Sequence, residues 1–338
     1  MNRTVLDSLN DGLLAALKKN DDVLLLGEDI LDPYGGAFKA TRGCSTAFPE
    51  RVITTPISEA GLGGLCAGLA LRGQRPVLEI MFGDFTTLLA DQLINHISKF
   101  RWMYNNSVSL PLVVRTPMGG RRGYGPTHSQ TLEKFYLGVP GLTVAAPLAF
   151  EEAAGGLLER VICETNDPVL FIENKLQYLL PLHTAADQNE FIQEKIYSAA
   201  DSDHRFPTYR FRIKGAPAAA VTLTAYGYMA ELAQQAQLKL AYDYEIFTEL
   251  IAPTRLAPFD VSAVVDSVRQ SGKLLSVEEG SLTLGWGAEV LARTAEAHSG
   301  VEVQRLAALD RPVPASPALE KAVLPQVEDI IDRVRKMV

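Results

Sequence analysis

The segment Ser58-Glu59-Ala60-Gly61-Leu62-Gly63-Gly64 sets an acid at the end of an apolar run and at the head of a helix of small residues. A carboxylate in that place is favoured by the helix dipole and can be purely structural. The same placement suits an acid–base group. The residues alone leave both roles open, and in either the glycines allow close helix packing. A second candidate lies in the loop Gly119-Gly120-Arg121-Arg122-Gly123-Tyr124-Gly125-Pro126-Thr127-His128. Histidine exchanges protons near neutral pH. A lone histidine is more often structural, but one in a long glycine-rich loop beyond a strand is a candidate for chemistry. Arg121 and Arg122 suit a carboxylate or phosphate, or a solvated surface.

Other arrangements are absent. The sequence has no G-x-S-x-G elbow, no Walker loop and no H-E-x-x-H, and Gly61-Leu62-Gly63-Gly64 lacks the dinucleotide spacing. Cys44, Cys66 and Cys163 form no CxxC pair, which argues against a zinc site or redox dithiol and for a reducing compartment. The formal net charge is -8 and no run of Lys/Arg stands out, so the clustered positive charge that nucleic acid needs is missing. No signal-peptide pattern and no stretch of about 18 apolar residues appears. The expectation is a cytoplasmic protein with no membrane span.

The candidates sit in an alternating pattern. Apolar runs Val23–Leu26, Val52–Thr55, Pro76–Met81, Leu112–Arg115, Val144–Ala146 and Val169–Ile172 read as strands, and continuous runs of this kind imply cover on both faces. Residues 4–19, 60–71, 88–104 and 150–163 read as helices between them. The prediction is an α/β fold with a doubly wound, mostly parallel sheet, whose ligands bind at the carboxyl rim. Glu28, Glu59 and Met81 all fall at strand ends, so they are expected to converge. Residues 184–208 are polar and weakly periodic and read as a linker, dividing a domain at 1–183 from a smaller α/β domain at 209–338.

These residues also carry a resemblance. Leu26-Gly27-Glu28-Asp29, Tyr34-Gly35-Gly36-Ala37-Phe38-Lys39, Thr55-Pro56-Ile57-Ser58-Glu59, Asp91-Gln92-Leu93-Ile94-Asn95, His128-Ser129-Gln130 and Pro140-Gly141-Leu142 resemble the E1 β subunits of 2-oxo acid dehydrogenase complexes. Glu278-Glu279-Gly280 and Gly285-Trp286-Gly287-Ala288-Glu289 are similar too, so the likeness runs the length of the chain.

The resemblance implies a transketolase-like pyrimidine-binding domain followed by a transketolase C-terminal-like domain. It implies thiamine diphosphate as cofactor, with Glu59 hydrogen-bonded to N1′ of the aminopyrimidine and favouring the tautomer that activates the thiazolium. Phe85 would stack on the pyrimidine, and Glu28, Ile57, Ser58 and Met81 would line its pocket. His128 would act in proton transfer toward substrate or the incoming lipoyl group. Gly83-Asp84-Phe85 and Asn105-Asn106 only loosely match the family's diphosphate-and-magnesium motif, because the second glycine is missing. Mg2+ is therefore expected on an α subunit, with the cofactor at the α/β interface of an α2β2 heterotetramer and a lipoyl acyltransferase (E2) as further partner. Some relatives hold a structural K+, and the matching positions are Leu112, Val161, Ile162 and Glu164 with Asn166 or Asp167. Here the segment Cys163–Asp167 is one residue longer than usual.

The implied function is oxidative decarboxylation of a 2-oxo acid with acyl transfer to a lipoyl domain. Thr127, where the family has glutamine, and the Arg121-Arg122-Gly123-Tyr124 run depart from the pyruvate and branched-chain enzymes. Two rivals stand beside this reading: a carboligase or acetoin-cleaving subunit with the same cofactor and no lipoyl acceptor, and a non-catalytic assembly subunit.

Overall fold

The computed structural model describes residues 3–183, 189–198 and 204–338. It divides into two compact units, Met1–Met118 with Phe135–Leu182, and Gly119–Lys134 with His183–Val338.

In the first unit, strands β1 (Val23–Gly27), β2 (Val52–Thr54), β3 (Arg75–Glu79), β4 (Val113–Met118), β5 (Thr143–Ala145) and β6 (Val169–Asn174) lie in the order β5-β6-β4-β3-β1-β2. All the pairings among them are parallel. The burial of every residue of β4, and of all but the last of β6, matches a sheet covered on both faces. From β1 to β2 the chain steps outward one way, and from β3 to β4 it steps the other way. That reversal makes the carboxyl ends of β1 and β3 the natural crevice for a ligand.

Two helices brace this sheet through glycine contact. Helix Val5–Lys19 is started by a reciprocal cap between Thr4 and Asp7. A Cβ on Gly12 would stand 2.4 Å from the carbonyl oxygen of Gly155, and one on Gly155 1.9 Å from that of Ser8. Only glycine lets helices Val5–Lys19 and Gly155–Glu164 approach so closely. The expected single helix 88–104 is instead broken into an α-helical segment Thr86–Asp91, a π-helical segment Gln92–Ile97 and a helical turn Phe100–Met103. Periodicity over so mixed a stretch could not reveal a change of hydrogen-bond register.

The second unit has β7 (Phe191–Ile196), β8 (Thr208–Ile213), β9 (Val221–Ala225), β10 (Thr248–Pro253), β11 (Arg255–Ala257), β12 (Lys273–Ser281) and β13 (Glu302–Ala308). Its sheet runs β13-β12-β9-β10-β8-β7. The first four of these strands are mutually parallel, while β8 and β7 add on antiparallel. Residues 184–208, read as a linker, thus contain β7, paired to β8 from Phe191 opposite Ile213 to Ile196 opposite Thr208. It was illegible because it is an edge strand with no buried residue, so its apolar alternation is weak. The parts of that stretch at 184–188 and 199–203 lie outside the described residues. Among the described residues no helix is long and apolar enough to cross a membrane.

Candidate active site

The carboxyl rim of the first sheet gathers most of the residues singled out in the sequence. Gly27 at the end of β1 pairs across to Thr54 on one side and Glu79 on the other. Glu28 follows β1 directly, Ile57, Ser58 and Glu59 follow β2, and Met81 follows β3. Glu59 is the first residue of helix Glu59–Leu71 and is only 7% exposed. The helix dipole favours its charge there. Gly63 lets this helix seat on the next one, since a Cβ would lie 2.3 Å from Leu89 and 3.0 Å from Gln92.

Glu28 is also 7% exposed. Burial, and then the neighbouring charge of Glu59, raise its pKa above the usual carboxylate value, against the backbone N–H of Ser58 that pulls it down. Its Oε1 is buried without a hydrogen-bond partner. Two carboxyl groups are thereby brought to one place, one of them with an unused acceptor. Ile57 stands 81% exposed at the same rim, an unusual position for so apolar a side chain. Met81 and Phe85 are half-buried, and the Phe85 ring lies 5.7 Å from that of Phe82. Phe82 in turn meets Phe38 edge-on at 5.4 Å, so an aromatic cluster walls this end of the sheet.

Behind the rim is a charged network that sequence reasoning did not isolate. Arg115, fully buried in β4, holds Glu79 of β3 and Glu173 of β6. Glu173 also accepts from the Tyr178 hydroxyl. Paired charges of this kind are tolerated in a core because each satisfies the other. The signal in the sequence was a charged residue within, at the end of or just beyond each of three apolar runs. The loop after Glu28 is pinned by Asp32, which accepts from the backbone N–H groups of Gly43 and Thr46 at 2.7 and 2.9 Å and from the hydroxyls of Ser45 and Thr46. Those bonds, the Gly43 N–H foremost, hold the Asp32 carboxyl well below the usual range.

The candidate histidine falls in the other unit. The loop Gly119–Lys134 was read as part of the first domain, whereas the structure groups it with the second. The reason is its bonding. Gly120 N–H donates to Glu279 at 2.7 Å, and the N–H groups of Arg121 and Gly123 donate to Glu320 at 2.6 and 3.3 Å. The Arg121 guanidinium donates to the Pro325 carbonyl at 2.6 Å and lies against the Tyr228 ring. Arg121 is therefore a loop anchor. His128 Nδ1 lies 2.9 Å from Thr127 Oγ1, which couples the ring's tautomer to that hydroxyl. Within this unit a cavity of about 450 Å³ borders the loop, lined in part by Ser129, Gln130, Leu132, Glu279 and Asp310.

Beneath the loop, Glu133, Glu278 and Tyr226 are buried. Burial, then the charge of Glu133, pushes Glu278 up to about 8. The Gly285-Trp286-Gly287 motif is explained by this acid: a Cβ on Gly285 would fall 2.6 Å from its carboxylate, and Gly287 N–H donates to it at 3.1 Å.

Asp84 is buried, while Asn105 and Asn106 are exposed and take left-handed φ angles of 50° and 58°. Among the described residues no group of three or more His, Cys, Asp or Glu could hold a metal ion. The carbonyls at the positions matched to K+ accept protein donors: Leu112 from Val169 N–H and Asn166 from Leu110 N–H, both at 2.9 Å, Val161 from Thr165 Oγ1 at 2.6 Å, and Ile162 from Arg75 Nε at 2.8 Å.

A doubly wound domain with a carboxylate rim, followed by a second α/β domain whose parallel strands are extended by two antiparallel ones, is the arrangement of a transketolase-type chain. Residues 2–179 match the family "Transketolase, pyrimidine binding domain" and residues 212–330 match "Transketolase, C-terminal domain". A solved structure described as "Split gene transketolase, inactive beta4 tetramer" superposes with a TM-score of 0.75, covering 98% of this chain and 96% of that one, at 20% identity, and shares the fold. Among curated proteins, pyruvate dehydrogenase E1 component subunit beta-1 of Arabidopsis thaliana is 35% identical, over 97% of this chain and 87% of its own length. The corresponding beta-2 subunit of Oryza sativa is 34% identical, over 98% and 85%. That of the bacterium Rickettsia bellii is 30% identical, over 100% and 99%. The chain belongs to the family of E1 β subunits of 2-oxo acid dehydrogenase complexes.

Proposed function

We propose that this chain, with an α subunit, carries out the thiamine-diphosphate-dependent oxidative decarboxylation of a 2-oxo acid and passes the acyl group to a lipoyl domain of an acyltransferase. The names of its relatives favour pyruvate as that acid. The observation that carries the proposal is Glu59, buried at the head of its helix, beside Glu28 and at the carboxyl rim of the sheet.

The residues fit the pyrimidine half of the cofactor. Glu59 offers a carboxyl that shares a proton with a ring nitrogen, and the unused oxygen of Glu28 supplies a further acceptor. A half-buried Phe85 and an exposed Ile57 offer apolar surface for a flat heterocycle. Ser58 and Met81 complete the lining. When bound, thiamine diphosphate supplies the nucleophilic carbon and the electron sink that decarboxylation needs. Glu59 would share a proton with the ring nitrogen, an interaction that strengthens once water is excluded. Exposed apolar groups such as Ile57 at the rim suit closure by an α subunit that brings Mg2+ and the diphosphate site, in an α2β2 assembly. His128 moves protons at the substrate or the acyl acceptor.

The test is calorimetry of thiamine diphosphate with the co-expressed α/β pair against α alone, together with product analysis with and without lipoyl domain. Tight binding by the pair alone, and acyl-lipoyl product, are the expected results. Binding by α alone would refute the role of this rim.

A further inference from the structure

We infer that Arg75 is a built-in cation at the positions that the family resemblance matches to a potassium ion, and that those residues do not fit the ion. The site lies at the C-terminal end of helix Gly155–Glu164 and the turn that follows. A helix end leaves its last carbonyls without intrahelical partners and gathers negative partial charge there, so a cation is favoured. The cation can be a bound ion or a side chain.

Here it is a side chain. Arg75 Nε donates to the Ile162 carbonyl at 2.8 Å, and a terminal guanidinium nitrogen donates to the Thr165 carbonyl. A planar fork with fixed donors suits two carbonyls held at a set angle. The arginine is itself held in place. It opens β3, pairs with Val23 of β1, and its backbone N–H donates to the Asp22 carbonyl at 2.8 Å. Thr165, whose carbonyl turns toward the guanidinium, belongs to the segment that is one residue longer than usual in the family.

A potassium ion does not fit beside this group. The ion needs several oxygens to replace its water. Ile162 O and Thr165 O are already engaged by a positive charge. Two cations sharing the Ile162 oxygen would repel each other strongly at such short range.

The proposal is tested by thermal unfolding of the full-length chain in potassium, sodium or N-methylglucamine chloride at equal ionic strength. The wild type is expected to melt at one temperature in all three. Arg75→Met is expected to melt lower by on the order of 5 °C in N-methylglucamine, and to regain part of that loss in potassium because the carbonyls are vacated. Arg75→Lys, which keeps the charge, is expected to stay insensitive to the choice of cation. A potassium-specific rise in the wild type would overturn the proposal, whether or not the methionine variant folds. So would a methionine variant that melts like the wild type, or one that responds to no cation.

Discussion

The carboxyl of Glu28 is raised in pKa by its own burial and by the charge of Glu59, although the two residues follow different strands. Adjacent parallel strands β1 and β2 bring them together at one rim. A charge beside a shielded carboxyl favours that carboxyl's protonated form, here that of Glu28.

Replacing Glu28 by Gln tests that coupling through stability. A carboxyl with a raised folded-state pKa binds its proton more tightly in the native state, so it costs stability as pH rises above its ordinary value of 4.5. Glu28→Gln should melt higher than the wild type near pH 8, and the difference should disappear toward about pH 4. Melting curves across pH check this; an advantage that grew on acidification would contradict it.

Glu278 gives the larger pH signature. Its carboxyl is raised from 4.5 to about 8 by burial and by Glu133. The native state therefore keeps a proton that the unfolded chain loses, and stability declines as pH climbs through that window. Glu278→Gln retains an oxygen for the Gly287 N–H and should remove most of the decline. Urea unfolding of both proteins, on the acidic and alkaline sides of the window, measures it.

Glu320 anchors the histidine loop from a distance in sequence, accepting from the N–H groups of Arg121 and Gly123. Glu320→Ala leaves those amides without their acceptor and should cost about 1–3 kcal/mol. Amide exchange should quicken across residues 119–125 while the first unit is unaffected. Unchanged exchange in the loop would show that the contact does not hold it.

Thr127 is exposed, so Thr127→Val should leave the melting temperature within about 1 °C. It removes the hydroxyl 2.9 Å from His128 Nδ1. If His128 moves protons in the reaction, the pH–rate profile of the α/β enzyme should shift with little change in KM. A profile superimposable on the wild type would separate this hydroxyl from the chemistry.

The rim was legible because its signals are local. Val23–Leu26 is a continuous apolar run that reads as a buried strand, and Glu59 stands between a strand end and a glycine-rich helix. What was not legible depended on distant partners. Nothing near Gly120 announces that Glu279 and Glu320 will bind its loop to the second unit. β7 is an edge strand whose residues are half wet, and its pattern is correspondingly faint. Arg115 reads as a flaw in an apolar strand until Glu79 and Glu173 are seen on either side of it.

In the proposed function, the acid at the head of helix Glu59–Leu71 activates the cofactor. The direct measurement is turnover of the 2-oxo acid by the α/β pair carrying Glu59→Gln, with folding checked by circular dichroism. The expected result is a loss of at least about 100-fold in kcat, the scale of a lost acid–base group, with thiamine diphosphate still bound and the spectrum unchanged. Wild-type turnover in that variant would rule out Glu59 as the activating acid.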